Sequence, residues 1–185
     1  MKELEWPEGV FPDIPAPKPG ELTVIAAPRT SGKTTFAVEL ARAWGREWKV
    51  VLCAPQIEML PTELRRQLPD LFRVVIGNCS ISDLYRRLVS GGKLDGPDVL
   101  ILDEVWLYPE PVTDPGHQRP TLKRLAQELR IPVIAIVNRS SAVDAVLAAD
   151  SLLVTDGKVS CATKEPGVGV RWFGGADKPR SDPEG

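Results

Sequence analysis

Histidine is almost missing from this chain: His117 is the single one in 185 residues. Cysteine is scarce too, with Cys53, Cys79 and Cys161 widely spaced and no CxxC pair. That combination argues against a metal cluster and against a disulfide framework, and for buried thiols in a reducing compartment. Nowhere do 18 apolar residues run together, and "MKELEWPEGV" has no apolar stretch of signal-peptide length. No membrane span or secretory leader is therefore expected, and the chain reads as cytoplasmic. A net charge of −2 gives no global basic signature. A nucleic-acid partner would have to be held by a local patch or by a ring of subunits.

Proline, by contrast, is abundant. Its 18 copies cluster in "WPEGVFPDIPAPKPG" (6–20) and "GGADKPRSDPEG" (174–185). Proline fixes φ and removes a donor, so these ends are expected to be an extended arm and a loose tail. Between them, short apolar runs alternate with helical patterns, the signature of a parallel sheet flanked by helices. Strands are expected at 21–27, 49–54, 73–76, 98–104 and 132–137, and helices at 33–44, 61–68, 82–92, 121–130 and 141–149. The helix at 82–92 is expected to start from a serine cap. Asp156-Gly157 between two apolar runs marks a hairpin over 151–164, and "VGVRWF" (168–173) would add one more strand. The expected fold is α/β: a three-layer nucleotide-binding domain over 21–173, with a central, mainly parallel sheet and a C-terminal β-hairpin.

The chemistry sits at the end of the first strand. Ala27-Pro28-Arg29-Thr30-Ser31-Gly32-Lys33-Thr34 has the spacing GxxxxGK[ST], with alanine in place of the first glycine. Backbone N–H groups of residues 30–34 would cradle phosphates at a helix N-terminus. Lys33 would bridge the β- and γ-phosphates, and the Thr34 hydroxyl would complete a Mg²⁺ shell. The phosphate-binding set is Ala27, Arg29, Thr30, Ser31, Gly32, Lys33, Thr34 and Thr35. The first position needs a small residue more than it needs glycine, so Ala27 is compatible with a working loop.

"DVLILDE" (98–104) ends on two carboxylates, as the second half of such a site requires. Asp103 would hold the Mg²⁺ and its water, and Glu104 would polarise the attacking water. The Asp-Glu pair points to P-loop ATPases with a catalytic glutamate, and the absence of an NKxD-like motif favours ATP over GTP. A polar residue sensing the γ-phosphate is expected at the end of a strand lying between these two. Asn138 is the candidate, with Arg139 beside it able to contact phosphate or reach across a subunit interface. A polar residue merely ending a strand is an equal alternative for Asn138.

"PRTSGKTT", "KVVLCAPQIEM", "DVLILDEVW" and "LAQELRIPVIAIVNRSSAVDAVLAADSLLV" together resemble the FtsK–HerA type of DNA-pumping ATPases. The resemblance runs over residues 21–155. It is strongest to the small genome-packaging ATPases of membrane-containing, PRD1-like viruses. It implies a homo-oligomeric ring that translocates double-stranded DNA using ATP and Mg²⁺, with capsid or portal-vertex proteins as partners and the host cytoplasm or virion as location. Asn138 and Ser140 depart from that family's glutamine and proline. A second resemblance is to the RecA-like motor domain of replicative hexameric helicases, carried by "PGELTVIAAPRTSGKTTFAVELA" and "KVSCATKEPGVGVRWF". It implies single-stranded DNA as the track and Glu58 in place of Glu104 as the base. Lys164 matches that family's final hairpin, but Glu165-Pro166 follow it and no arginine stands there.

Both resemblances imply an arginine supplied by a neighbouring subunit. Arg130 and Arg139 rank first, ahead of Arg119 and Arg171. DNA would be gripped through its backbone by loop 105–120, with Trp106, Tyr108, His117 and Arg119, or by segment 86–93, with Arg86, Arg87 and Lys93. A monomeric P-loop phosphotransferase is the alternative from another enzyme class.

Overall fold

The computed structural model describes residues 3–8, 10–11, 13–54, 62, 72–75, 81–90, 96–104, 121–138, 149–155, 157–158 and 163–164. Seven strands form one sheet: β1 (Leu22–Ala27), β2 (Val50–Cys53), β3 (Phe72–Val75), β4 (Val99–Asp103), β5 (Val133–Asn138), β6 (Ser151–Val154) and β7 (Thr163–Lys164). Their spatial order is β3-β2-β4-β5-β1-β6-β7. All neighbours are parallel except β6 and β7, which pair antiparallel as the expected hairpin. The strand ending at Asn138 therefore lies between the strand that feeds the phosphate loop and the strand that ends on Asp103.

The central strands are buried along their whole length, which is why they read as continuous apolar runs rather than alternating ones. Period-two geometry divides their side chains between two cores. On one face Ile25, Ala27, Ile101, Ile134 and Ile136 meet Phe36, Leu40 and Trp44 of α1 (Lys33–Trp44). On the other, Val24, Ala26, Leu102, Ala135 and Val137 meet Leu84 and Leu88, and Leu122, Leu125 and Ala126 of α3 (Leu122–Leu129). The result is three layers.

Leu84 belongs to α2 (Ile81–Tyr85), which runs on as a π-helical turn, Arg86–Ser90. The expected serine cap is corrected here: the helix starts at Ile81, so Ser82 lies inside it. Burial of Leu84 and Leu88 on the sheet overrides the local capping signal. Thr121 does cap α3, its hydroxyl accepting from the Arg124 N–H at 3.1 Å, and Arg130 ends that helix in the left-handed region at φ 53°.

The proline-rich segment before β1 packs on α1. Phe11 is buried, and Leu4, Trp6, Val10 and Ile14 lie against the same core. Trp6 stacks on Trp44 at 5.5 Å and meets Phe11 edge-on at 5.0 Å. The Trp44 indole N–H donates to the Glu5 carbonyl at 2.7 Å. Aromatic burial holds a stretch that proline keeps from becoming helix or strand. The helix at 141–149 apart from Ala149, the helix at 61–68 apart from Thr62, and the strand at 168–173 lie outside the described residues. Among the described residues, no helix is long and apolar enough to cross a membrane.

Candidate nucleotide site

In a parallel sheet the loops that leave the strand C-termini share one edge, and ligands bind along it. Ala27 is the last residue of β1 and lies opposite Asn138, the last of β5. Asp103, the last of β4, lies opposite Ile136, and the Glu104 N–H donates to the Ile136 carbonyl at 2.8 Å. The sheet thus brings the start of the phosphate loop, the two carboxylates and Asn138 to one edge. Arg130 is not brought there. It precedes β5, at the opposite edge, roughly 17 Å along the strand from Asn138 at the usual rise per residue.

Ala27 is fully buried and has no positive φ, so its methyl group sits in the α1-side core without strain. The loop's turn is made further on, by Thr30 at φ 61° and Gly32 at φ 82°. A Cβ on Gly32 would meet nothing within 4 Å, so this backbone conformation, rather than crowding within the chain, is what favours glycine here. The Thr30 hydroxyl donates to the Arg29 carbonyl at 2.6 Å, and both residues are exposed.

Gly32 caps α1 without a side chain, and the first turn of the helix holds no acidic residue. The N–H groups of that turn have no intrahelical acceptor, and the helix dipole adds partial positive charge there. Lys33 is 5% exposed. Its ammonium donates to the Pro28 carbonyl at 2.8 Å and pairs with Glu104 Oε1 at 3.1 Å. Glu104 itself sits at φ 45°, a strained conformation for a residue with a Cβ.

Three side-chain polar atoms among the described residues are buried without a hydrogen-bond partner: Ser31 Oγ and both carboxylate oxygens of Asp103. All belong to this site. Burial pushes the Asp103 carboxyl up to about 6; the Glu104 charge adds to the rise, while the nearby Thr34 hydroxyl and Lys33 oppose it. The Thr34 hydroxyl is thus close to Asp103 but does not satisfy either oxygen with a full hydrogen bond. A hard divalent cation is what such a set accommodates: a buried anionic oxygen pair beside a threonine hydroxyl. The residues present fit Mg²⁺ at Asp103 and Thr34, and a polyphosphate on the loop N–H groups and Lys33.

Of the other sequence candidates, Arg86 and Arg87 are exposed on the π-helical turn, with Arg86 paired to Asp83 at 2.9 Å. Thr35 is exposed on α1, and Asn138 is half-buried. Glu58, Lys93, loop 105–120, Arg139 and Arg171 lie outside the described residues, and Lys164 is described only as part of β7. Sequence reasoning missed the Pro28 carbonyl as a lysine acceptor and the pairing of Lys33 with Glu104. Neither has a signal in residue type, because one is a backbone group and the other depends on which strands are neighbours.

No family model and no curated protein matches the chain. Solved structures do. The ATPase domain of a replicative helicase superposes with a TM-score of 0.51 at 16% identity, over 74% of this chain and 69% of that one. A DnaB-like replicative helicase, in a structure concerning its interactions with primase, gives 0.51 at 18% identity over 74% of this chain. This chain spans 47% of that helicase's length. The flagellar accessory protein FlaH from Methanocaldococcus jannaschii gives 0.45 at 14% identity, over 80% and 83% of the two chains. The first two likenesses, with the strand order above, define the class: a three-layer α/β domain with the RecA-like P-loop ATPase fold.

Proposed function

We propose that the chain is a Mg²⁺-dependent ATPase that works as a homo-oligomeric ring and moves nucleic acid, with viral DNA packaging as its most specific form. The observation that carries the ATPase reading is Asp103. It is a buried, unpartnered carboxylate at the strand end facing Lys33 and Thr34, and a fold has little reason to keep one there except to hold a cation.

Bound Mg²⁺ would supply charge neutralisation for the polyphosphate. This chain's residues do the rest. The N-terminal N–H groups of α1 and Lys33 hold and orient the phosphates, and Thr34 and Asp103 hold the cation. Glu104 takes the proton of the attacking water, and Asn138 orients that water or contacts the terminal phosphate. Arg130, exposed at the far edge of the sheet, is placed to serve only a neighbouring subunit's site. With Arg139 it remains the first candidate for neutralising charge in trans.

The nucleic-acid reading is supported by the resemblance of residues 21–155 to DNA-pumping ATPases. The fold likeness to the two helicase ATPase structures favours a second reading equally, a helicase-type motor on single-stranded DNA. ATP turnover measured with double-stranded, single-stranded and no DNA separates the two. Stimulation by duplex supports packaging, and stimulation by single strands with fork unwinding supports the helicase type. A monomer whose turnover ignores both at low salt rules out the motor.

A further inference from the structure

The nucleotide-free site is internally neutralised. Lys33, the one cation buried at the phosphate loop among the described residues, is held by the Pro28 carbonyl at 2.8 Å and Glu104 Oε1 at 3.1 Å. Lys33 is 5% exposed and Glu104 20%, so water screens this pair far less than a surface ion pair. Glu104 reaches the lysine from a left-handed backbone at φ 45°, fixed by its N–H bond to the Ile136 carbonyl. The strained residue is thus anchored to β5 and aimed at α1.

We propose that the Lys33–Glu104 pair is a resting latch: it occupies the lysine and masks the carboxylate until a nucleotide polyphosphate takes over the ammonium. A carboxylate bonded to an ammonium is a weaker base than a free one, because the neighbouring charge stabilises its ionised form. A lysine bonded to a carboxylate must give up that bond before it serves phosphate. One exchange therefore does two things: the phosphate oxygens replace Glu104 around Lys33, and Glu104 becomes free to accept a proton from water. The base is exposed only when the loop is filled, and the Pro28 carbonyl keeps the ammonium near the loop throughout the exchange. This deepens the nucleotide-site reading and rests on it for the identity of the displacing group.

The test has one arm without nucleotide and one with ADP, so neither depends on turnover. Thermal melts of the nucleotide-free full chain are compared for wild type, Lys33→Met, Glu104→Ala and the double variant. The latch predicts non-additivity: the double variant melts about 3 °C above the sum of the single shifts, because each single variant strands a partner. Additive shifts overturn the proposal. In the second arm, fluorescently labelled ADP with Mg²⁺ is expected to bind Glu104→Ala about fivefold more tightly than wild type, the lysine being already free. Unchanged affinity overturns the proposal as well. General charge repulsion would tighten ADP binding but leave the melts additive, so it too counts against the latch. If wild type binds no nucleotide at all, the function proposed above fails, while the melts still decide whether the pair exists.

Discussion

Asp103 and Asp150 sit at opposite edges of the same sheet and illustrate two uses of a carboxylate. Asp150 precedes β6, and its partners are complete. Its Oδ2 accepts from the Leu22 N–H at 2.7 Å, its own N–H donates to the Leu22 carbonyl at 2.8 Å, and the Lys123 ammonium pairs with it. It ties β6 and α3 to the start of β1. Asp103 closes β4 at the other edge, fully buried, with neither oxygen hydrogen-bonded. The satisfied carboxylate is explained by the chain itself, and the orphaned one by something the chain must bind. Both edges also carry a lysine–carboxylate pair, but Lys123–Asp150 is a structural tie, whereas Lys33–Glu104 occupies the groups that chemistry would need.

The largest effects should come from the orphaned edge. Lys33→Ala is expected to abolish detectable nucleotide binding or turnover, measured by labelled-nucleotide titration and phosphate release. Glu104→Gln should leave ATP bound while turnover falls roughly 10²- to 10⁴-fold, the range for loss of a general base. If Glu58→Gln loses turnover and Glu104→Gln keeps it, the helicase-type assignment of the base is correct.

Stability separates the two aspartates by sign. The rise of the Asp103 carboxyl from 3.8 to about 6 corresponds to roughly 3 kcal/mol that the ionised form takes from the nucleotide-free fold. Between about pH 4 and 6 the folded chain binds this proton more tightly than the unfolded chain does. Stability from this group is therefore present at low pH and lost as pH rises through about 6. Asp103→Asn should raise the melting temperature of the nucleotide-free chain above pH 6, and the gain should vanish towards pH 4. Denaturant melts across that window check it, and a gain independent of pH would break the contrast. Asp150→Asn should lower stability by about 1–2 kcal/mol, a modest figure because the pair is about a quarter to a third exposed. Smallest of all, Thr121→Ala should cost about 1 kcal/mol through the lost cap on α3 and leave nucleotide binding unchanged.

Much of this was legible in the residues. Strands such as "DVLILDE" are apolar throughout because both faces are covered, and helix-spaced Phe36, Leu40 and Trp44 mark the buried face of α1. The GxxxxGK[ST] spacing and the Asp-Glu strand end locate the two halves of the site, and the parallel sheet brings them to one edge. What was not legible depends on contacts distant in sequence. Proline in 6–20 suggested an extended arm, while Trp6 and Phe11, the residues that hold that segment on α1, carry no local signal of a partner 25 to 38 positions away. Ser82 reads as a cap, yet burial of Leu84 and Leu88 sets the start of the helix at Ile81. Arg130 lies close in sequence to Asn138, but a strand running between them puts the two at opposite edges.

The most direct measurement is the shift in melting temperature of the full chain on adding saturating ADP with Mg²⁺, compared between wild type and Asp103→Asn. Ligand at about 100 times its dissociation constant adds roughly 2.7 kcal/mol, or about 5–10 °C for a chain of this size. Wild type should show that shift only with Mg²⁺ present, and Asp103→Asn should lose its Mg²⁺-dependent part. A wild-type chain that melts at the same temperature with and without Mg²⁺ and ADP would contradict the account, because the orphaned carboxylate would then have no cation to wait for.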